Sequence, residues 1–240
     1  MKALILNSGV GRRMGDLTSH YPKCMTELAT GETILSRQIR QLECCGIDEI
    51  VITTGPFADI LEEHALQSRT SAHITFANNP DYAVTNYIYS IYLAREHLQD
   101  DILMLHGDLV FFEDILAEML GHSKSSLAIS TTLPLPEKDF KAVVENDFVQ
   151  AVGIEFFDHA VAAQPLYHLK KQDWLLWLGK IEEFVADSQK TCYAENALNA
   201  LNGRCNIYLT DVQNKLCAEI DTPEDLAQIN RILRQGDKML

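Results

Sequence analysis

Several features typical of nucleic-acid-binding, membrane or exported proteins are missing from this sequence. Its 240 residues include only 20 lysines and arginines against 34 aspartates and glutamates, so the formal net charge is −14. An acidic chain of this kind disfavours a general nucleic-acid or membrane partner. No apolar run approaches the roughly 20 residues that a membrane-spanning helix needs. The N-terminal stretch MKALILNSG has too few apolar residues for a signal peptide. Its short apolar run is typical of a buried strand.

Cysteine patterns for zinc binding are also missing. The chain has 6 cysteines, none of which forms a C-x-x-C pair, and no histidine stands at zinc spacing. Without an export signal, we expect reduced thiols in a cytoplasmic protein, most of them as small core residues. Apolar residues, by contrast, are plentiful at 47% of the chain, which is enough to build a sizeable core.

Apolar runs alternate with helical patterns along the first half of the chain. KALIL is a buried strand, and Ile34, Leu35, Ile39 and Leu42 follow at helical spacing before Gly46. The strand DEIVITTG, a further helix and the strand HITFA continue the alternation. This pattern predicts an α/β fold: a Rossmann-like, three-layer sandwich with a mixed, mainly parallel sheet.

The second half has a different character. KAVVENDFVQAVGIEF predicts a β-hairpin, and a helical region that includes DWLLWLGKIEEFV follows it. Trp174 and Trp177 stand three apart on that helix and are expected in the core. We expect residues 1–240 to form a single domain, in which 134–218 is an elaboration that binds the acceptor substrate.

The loop NSGVGRRMGDLTSHYPKCMTEL gathers glycines and cations directly after the first strand. It is not a Rossmann fingerprint, because Met14 replaces the third glycine, and the chain contains no Gly-Lys-Ser/Thr of a Walker A motif. Gly9 and Gly11 can present backbone N–H groups to an anion, while Arg13 and Lys23 can neutralise its charge. The segment therefore predicts a loop that wraps around a triphosphate.

The same loop resembles the signature of the sugar-phosphate type of nucleotidyltransferases, whose usual form is L-A-A-G-x-G-x-R-M/L followed by P-K. The resemblance continues through ETILSRQIRQLECCGIDEIVITTG. NNPDYAVTNYIYSIYLAREHL and CAEIDTPEDLAQINRIL are similar to the branch that activates phosphocholine and related phospho-compounds with CTP. Asn7 and Ser8 stand where two alanines are commonest. The resemblance implies a fold of GT-A type and transfer of CMP from CTP to a small phosphorylated or phosphonate acceptor.

The resemblance also implies roles for individual residues. Asp108 and Asp221 would hold Mg²⁺, with Glu219 as a weaker candidate ligand. Lys23 would contact the α-phosphate, and Arg13 would hold the leaving pyrophosphate. The nucleotide-binding residues implied are Leu6, Asn7, Ser8, Gly9, Gly11, Thr85 and Asn86, of which the last two could instead cap a helix.

The acceptor is the least defined part of the prediction. Tyr193 and Phe140 are candidate walls of a pocket for a cationic group, and Lys141, placed on the rim of the hairpin, is a candidate for the acceptor phosphate. Phosphocholine, phosphoethanolamine, an aminoalkyl phosphonate and a phosphorylated amino acid or amide all stay open. The oligomeric state is also open, with a homodimer as one option.

Three other functions stay open at this point. A sugar-1-phosphate nucleotidyltransferase that uses another NTP is the nearest alternative. A glycosyltransferase with a similar sheet is a second, although the strand end reads HGDLVF and not D-x-D. A nucleotide-sensing module without catalysis is the third, and the two carboxylates and two cations argue against it.

Overall fold

The central strand of the fold is β1 (Lys2–Leu6), which pairs in parallel with β2 on one side and β4 on the other. The computed structural model describes residues 1–9, 11, 14–15, 20–68 and 70–236. All residues of β1 after Lys2 are buried, as an uninterrupted apolar run in a parallel sheet requires. Strand β3 pairs in parallel with β2, so the predicted β-α-β-α-β unit is confirmed.

Helices cover both faces of this part of the sheet. Ala3 and Ile5 of β1 belong to the core under the first, second and fourth helices. Leu4 belongs to the core under the third and fifth helices. The helices are α1 (Ile34–Cys44), α2 (Ala58–Gln67), α3 (Tyr87–Ala94), α4 (Glu113–Gly121), α5 (Lys171–Ala186), α6 (Ala194–Asn199) and α7 (Pro223–Gly236). No helix in the described part of the chain is both long enough and apolar enough to cross a bilayer.

The main sheet runs in the order β3-β2-β1-β4-β9-β6-β10-β8-β7. Its strands are β1 (Lys2–Leu6), β2 (Glu49–Thr54), β3 (His73–Asn78), β4 (Ile102–His106), β6 (Ser126–Ser130), β7 (Lys141–Glu145), β8 (Phe148–Gly153), β9 (Ala160–Leu169) and β10 (Tyr208–Asp211). Strand β7 also pairs with β9, so the last five strands close into a ring. A separate pair is formed by β5 (Leu109–Phe111) and β11 (Cys217–Glu219).

The prediction of a mainly parallel sheet is wrong. Within the described residues, four pairings of the main sheet are parallel and five are antiparallel. The cause is β9, which runs antiparallel to β4, β6 and β7 and so turns a parallel half into a mixed ring. The sequence pattern placed helical structure after the hairpin and missed β9, because Pro165 interrupts its apolar run. Pro165 lies within the segment where the register between β6 and β9 shifts.

The elements around these strands follow the sequence prediction closely. The hairpin of β7 and β8 turns at Asn146 and Asp147, both with positive φ, as a tight hairpin turn needs. Trp174 and Trp177 are fully buried in the core, as predicted. The last helix begins with a cap in which the Asp225 backbone N–H donates to Thr222 Oγ1 at 3.2 Å.

Candidate active site

Three residues predicted from the sequence meet at one edge of the sheet. The Lys23 ammonium donates to Asp108 Oδ2 at 2.6 Å and to Asp221 Oδ1 at 2.5 Å. The three side chains are only 12%, 21% and 15% exposed, respectively. A cation and two carboxylates that are far apart in sequence therefore share one partly desolvated position.

The small sheet of β5 and β11 explains why the two carboxylates meet. Asp108 immediately precedes β5, and Asp221 follows β11 by two residues. Antiparallel pairing aligns Leu109 with Glu219, and the Ile220 backbone N–H donates to the Asp108 carbonyl at 3.0 Å. This register holds the start of one strand beside the end of the other.

The charges at this position stabilise one another. Burial raises the pKa of Asp108, but the charges of Lys23 and His106 outweigh burial and hold that pKa below its ordinary value. Burial also lowers the pKa of Lys23, but Asp108 and Asp221 outweigh it and raise the pKa overall. Both groups therefore stay charged at neutral pH.

A second ion pair, His106 with Glu219, lies against the first. His106 Nδ1 is 2.9 Å from Glu219 Oε1. Burial lowers the pKa of His106, but the hydrogen bond and charge of Glu219, with Asp108 nearby, raise it to about 9. Burial and the charge of Asp108 raise the pKa of Glu219. The sequence prediction did not assign His106 a role.

Two overlapping sets of side chains in the described residues have the geometry to hold a cation. In the first set, one candidate atom from each of Asp139, Glu219 and Asp221 lies within 4.8 Å of the others. The second set consists of His106, Asp108 and Glu219, whose candidate atoms meet the same limit. Oxygen-rich sets suit a hard cation such as Mg²⁺, which takes one or two carboxylates and phosphate oxygens. Glu219 belongs to both sets, which makes it a stronger candidate ligand than its sequence position suggested.

A cleft of about 280 Å³ opens beside Lys23 and the two aspartates. Leu6, Asn7, Gly9 and Gly11 line it, so four of the predicted nucleotide-binding residues face the charged centre. Gly11 has φ of 65°, a conformation that glycine adopts without strain. Arg13, the predicted pyrophosphate ligand, lies outside the described residues.

Asn7 occupies a tight position in this cleft. A Cβ atom at Gly107 would lie 1.7 Å from Asn7 Oδ1, so the absence of a side chain at Gly107 makes room for the amide. The Asn7 backbone N–H donates to Thr53 Oγ1 at 3.0 Å, while Asn7 Nδ2 is buried and has no partner among the described residues. A buried amide N–H₂ without a partner is a donor that a ligand could satisfy.

Ser8 points to a different lobe of the cleft, with a volume of about 180 Å³. Its hydroxyl is 2.6 Å from Ser90 Oγ, and Asn79 Nδ2 donates to Ser90 Oγ at 2.9 Å and to Thr85 Oγ1 at 3.0 Å. Asn86 lines the same lobe and caps α3 by accepting from the Tyr87 N–H at 2.7 Å. Thr85 and Asn86 therefore have structural partners and also face the lobe. Asn79 and Ser90 were not predicted.

A third lobe, of about 160 Å³, contains the predicted acceptor residues Phe140 and Tyr193. Their rings pack edge to face with centroids 5.1 Å apart. Lys138, Asp139 and Ile154 complete the wall around Asp108 and Asp221. The lobe thus combines apolar rings, carboxylates and one exposed lysine next to the charged centre.

The predicted position of Lys141 on the rim is wrong. Lys141 is fully buried, and its ammonium donates to the Pro136 carbonyl at 2.6 Å and lies 4.2 Å from the Phe157 ring centroid. The reason is its place at the start of β7, where it pairs with both Gly153 and Ala162. Lys138, three residues earlier, is the lysine that lines the lobe.

A buried carboxylate, Glu195, lies beneath the lobe of Phe140 and Tyr193. It accepts hydrogen bonds from the hydroxyls of Tyr87 and Tyr167, and the Tyr87 ring lies 5.9 Å from the Tyr193 ring. Burial and the Glu195 charge raise the pKa values of both tyrosines, which keeps them protonated donors. The sequence signal for this contact is weak, because Glu195 stands in the segment AENALNAL, which also contains two asparagines.

Comparison with known proteins gives a consistent picture. The family model of the MobA-like NTP transferase domain matches residues 3–152. CMP-5'-(3-aminopropyl)phosphonate synthase from Streptomyces rubellomurinus is 33% identical over 95% of this chain and 38% of its own length. CTP:phosphoglutamine cytidylyltransferase from Campylobacter jejuni is 30% identical over 54% of this chain and 51% of its own length. The chain thus spans about half or less of these two relatives.

Solved structures show the same fold. CTP:phosphocholine cytidylyltransferase from Streptococcus pneumoniae superposes with a TM-score of 0.78 over 97% of this chain and 98% of that chain, at 20% identity. Such identity supports the Rossmann-like nucleotidyltransferase fold alone.

Proposed function

We propose, since this chain belongs to the MobA-like NTP transferase domain family, that it transfers CMP from CTP to a small phosphorylated or phosphonate acceptor. The observation that carries the proposal is the meeting of Lys23, Asp108 and Asp221 in a cleft that Gly9 and Gly11 line. The relatives above, named for CMP and CTP, support CTP over other nucleotides.

The proposed reaction is an in-line displacement at phosphorus. An acceptor oxygen forms a bond to the α-phosphorus of CTP, the bond to the bridging oxygen of the β-phosphate breaks, and pyrophosphate leaves. The acceptor oxygen is already anionic, so the protein has to position and neutralise charge and supplies no nucleophile. Lys23 contributes a positive charge at the α-phosphate, and Arg13 is assigned to the leaving pyrophosphate.

Each lobe of the cleft receives one part of the substrates in this proposal. The lobe of Ser8, Thr85 and Asn86 takes the nucleoside, and the cleft of Asn7, Gly9 and Gly11 takes the triphosphate. The lobe of Phe140 and Tyr193 takes the tail of the acceptor, where carboxylates and ring faces both favour a cationic group. Lys138 replaces Lys141 as the candidate for the acceptor phosphate.

Mg²⁺ suits carboxylate ligands, and Asp108 and Asp221, which share the contact with Lys23, would hold it. Glu219 belongs to one candidate cation set with Asp108 and to another with Asp221. When bound, Mg²⁺ would supply Lewis-acid stabilisation of phosphate charge. The charges of Lys23 and His106 hold the pKa of Asp108 below its ordinary value, so Asp108 is ionised, as a metal ligand has to be.

The broader assignments are proposals of the same kind. We propose a fold of GT-A type for residues 1–240 as one domain, with 134–218 as the acceptor-binding elaboration. Cytoplasmic location is proposed from the six unpaired thiols among the described residues. A homodimer is one option for the assembly.

The deciding experiment is a screen of pyrophosphate release. Wild-type protein is incubated with Mg²⁺, each of the four NTPs, and acceptors that include phosphocholine, phosphoethanolamine, an aminoalkyl phosphonate, a phosphorylated amino acid and a sugar 1-phosphate. We expect release only with CTP and an acceptor that carries an amine. Release with another NTP and a sugar 1-phosphate would overturn the proposal of CMP transfer and support a sugar-1-phosphate nucleotidyltransferase. Proteins named for that kind of reaction are also similar to this chain.

A matched variant shows whether the release comes from this site. Asp108→Asn keeps the shape of the side chain but removes its charge, and we expect it to abolish release. Asp114→Asn, on the surface helix α4, is the control and is expected to turn over normally. Absence of release from every NTP with the wild-type protein would end the proposal of catalysis.

A further inference from the structure

The ammonium of Lys23 occupies the space between the two carboxylates that the proposed function assigns to Mg²⁺. Lys23 Nζ lies 2.6 Å from Asp108 Oδ2 and 2.5 Å from Asp221 Oδ1. An Mg²⁺ ion bound to both carboxylates would lie about 2.0–2.1 Å from an oxygen of each. An ion bound between Asp108 Oδ2 and Asp221 Oδ1 would need the two oxygens that the ammonium already contacts, so the ion and the ammonium cannot both occupy that position.

We propose, on the basis of the function proposed above, that Lys23 competes with the metal for Asp108 and Asp221 and leaves them when the metal and the triphosphate enter. Lysine has a flexible stem and a compact charge, so its ammonium can move between partners without movement of the backbone. Lys23 also lines the cleft with Gly9 and Gly11, where an incoming phosphate would offer new oxygens.

This exchange makes the binding of metal and nucleotide mutually dependent. Two partly buried carboxylates without a cation are costly, so Lys23 stabilises the nucleotide-free site. When a metal binds alone, the Lys23 ammonium loses its contacts with Asp108 and Asp221 and gains no anion in exchange. When a metal binds together with a triphosphate, the phosphate oxygens become new partners for the ammonium. Each ligand therefore raises the affinity of the other by the same factor. Lys23 therefore releases the metal site more readily to a metal that enters together with a triphosphate than to a metal alone.

The first test measures metal binding without nucleotide or turnover. Mn²⁺ replaces Mg²⁺, and electron paramagnetic resonance counts the free ion in titrations of wild-type protein, Lys23→Met, Lys23→Gln and Lys138→Met. We expect both Lys23 variants to bind Mn²⁺ at least about tenfold more tightly than wild type, because the competing ammonium is gone.

Lys138→Met is the matched control for this titration. Lys138 lines the neighbouring lobe with Asp108 and Asp221, so its removal deletes a nearby positive charge but leaves the Lys23 contacts in place. We expect its Mn²⁺ affinity to change by less than about threefold. Equal Mn²⁺ affinity in wild type and both Lys23 variants would overturn the proposal, as would an equally large gain in Lys138→Met.

A second measurement uses only wild-type protein, in case the variants fail to fold. Brief acetylation followed by mass spectrometry reports the accessibility of Lys23, with Lys138 as internal reference. We expect Mn²⁺ to increase the labelling of Lys23 relative to Lys138, because the metal displaces the ammonium from both carboxylates. Unchanged relative labelling at saturating Mn²⁺ would contradict the competition.

The pyrophosphate screen separates this inference from the proposed function. Turnover of CTP by wild type, together with equal Mn²⁺ affinities in wild type and the Lys23 variants, overturns the competition alone. Tighter Mn²⁺ binding by the Lys23 variants, with no turnover of any NTP by wild type, supports the competition and overturns the proposed catalysis.

Discussion

At the scale of single residues, Lys23 is the most constrained side chain of the site. It connects Asp108 and Asp221 across sequence separations of 85 and 198 residues. Its ammonium is mostly buried and lines the same cleft as the glycine loop. Loss of this one charge should therefore affect catalysis more than fold.

Lys23→Ala should lower kcat for pyrophosphate release by about 100-fold or more. Loss of one preorganised donor to a developing negative charge costs about 2.7–4 kcal/mol in activation free energy. Steady-state kinetics with saturating CTP and acceptor measure the effect. Lys215→Ala, which removes a surface lysine paired with Asp114 and Glu118, is the control. A normal kcat in Lys23→Ala would refute its role at the α-phosphate.

Asn7→Ala should raise the KM for CTP by about tenfold. Its buried Nδ2 has no described partner and lines the triphosphate cleft, and a hydrogen bond to a charged group contributes about 1.5–3 kcal/mol. Asn214→Ala is the matched control, because it truncates an exposed asparagine in the turn after β10, away from the cleft. The two variants are compared by their KM values for CTP, and equal values would show that the Asn7 amide does not contact the triphosphate.

At the scale of elements, Glu195 connects three segments around the acceptor lobe. Tyr87 belongs to α3, Tyr167 to β9 and Glu195 to α6, and both hydroxyls donate to the one carboxylate. These contacts fix the position of Tyr193, the residue that precedes α6. The acceptor lobe therefore depends on hydrogen bonds beneath it as well as on its own wall.

Tyr167→Phe should lower the free energy of unfolding by about 1–3 kcal/mol. The change removes a donor 3.0 Å from Glu195 Oε1 and leaves that buried carboxylate with one partner fewer. Urea denaturation measures the loss. Tyr89→Phe, a change of the same kind on α3 where the ring stacks on Tyr92, should stay within about 0.5 kcal/mol. Equal stability of the two variants would mean that the Tyr167 hydroxyl contributes nothing.

A pH effect on stability is expected from His168, where β9 packs against α4. His168 Nδ1 bonds to the Met119 carbonyl at 3.0 Å, and Nε2 is buried without a partner in the described residues. Burial lowers the pKa of His168 below its ordinary value of 6.5. The unfolded chain takes up the proton first, so the His168 contribution is fully present above pH 6.5 and is lost as pH falls below it.

The test compares wild type with His168→Gln between pH 7.5 and 5. The stability of wild type should fall more steeply below pH 6.5, by at most about 1.4 kcal/mol per pH unit, because only it carries this histidine. Urea unfolding at each pH gives the difference between the two proteins. A difference that does not change with pH would show that His168 titrates alike in both states.

Local patterns predicted most of the elements but not their long-range partners. Gly46, with φ of 76°, follows α1 as predicted, because a helix end is encoded in neighbouring residues. The local pattern does not predict strand β9, because Pro165 is unfavourable within a strand. The strands that pair with β9 are β4, β6 and β7, and they come from other parts of the chain. Lys141 was placed on the rim for a similar reason: the third strand that covers it, β9, was not foreseen.

The same limit applies to the site. Lys23, Asp108 and Asp221 were predicted to act together because the sequence resembles nucleotidyltransferases. The glycine loop and the strand ends are local signals that place these residues at one edge of a sheet but do not assign their roles. The contact of His106 with Glu219 spans 113 residues, and that of Ser8 with Ser90 spans 82. Such pairs depend on which elements become neighbours, and a single sequence does not contain that information.

At the scale of the whole molecule, the six cysteines differ in exposure, from buried through the partly exposed Cys45 and Cys192 to the exposed Cys44. Burial raises the pKa of Cys24 and Cys217, and it raises the pKa of Cys205 to about 12. All three are buried, whereas Cys44 is exposed. Since the thiolate is the reactive form, the buried thiols should be inert in the folded protein.

Labelling with a thiol reagent should therefore follow global unfolding. We expect Cys44 to react within the mixing time at pH 8, and Cys24, Cys205 and Cys217 to react at least about 100-fold more slowly until urea unfolds the chain. Mass spectrometry of labelled peptides assigns each rate, with the partly exposed Cys45 and Cys192 expected between the two extremes, and Cys44→Ser should remove the fastest phase. Fast labelling of Cys24 in the native protein would show that the base of the Lys23 segment opens locally.

The short pairing of β5 with β11 has a consequence for when the site forms during folding. It joins Asp108, in the middle of the chain, to Asp221, which comes after the ring of strands has been completed. Contacts so distant in sequence form late, because the intervening chain has to be ordered first. We therefore expect Asp108 and Asp221 to meet only after the strands between them have been ordered. Metal binding during refolding would then begin only when the native pairing of β5 with β11 has formed. A bound metal ion would therefore report the fraction of fully folded molecules.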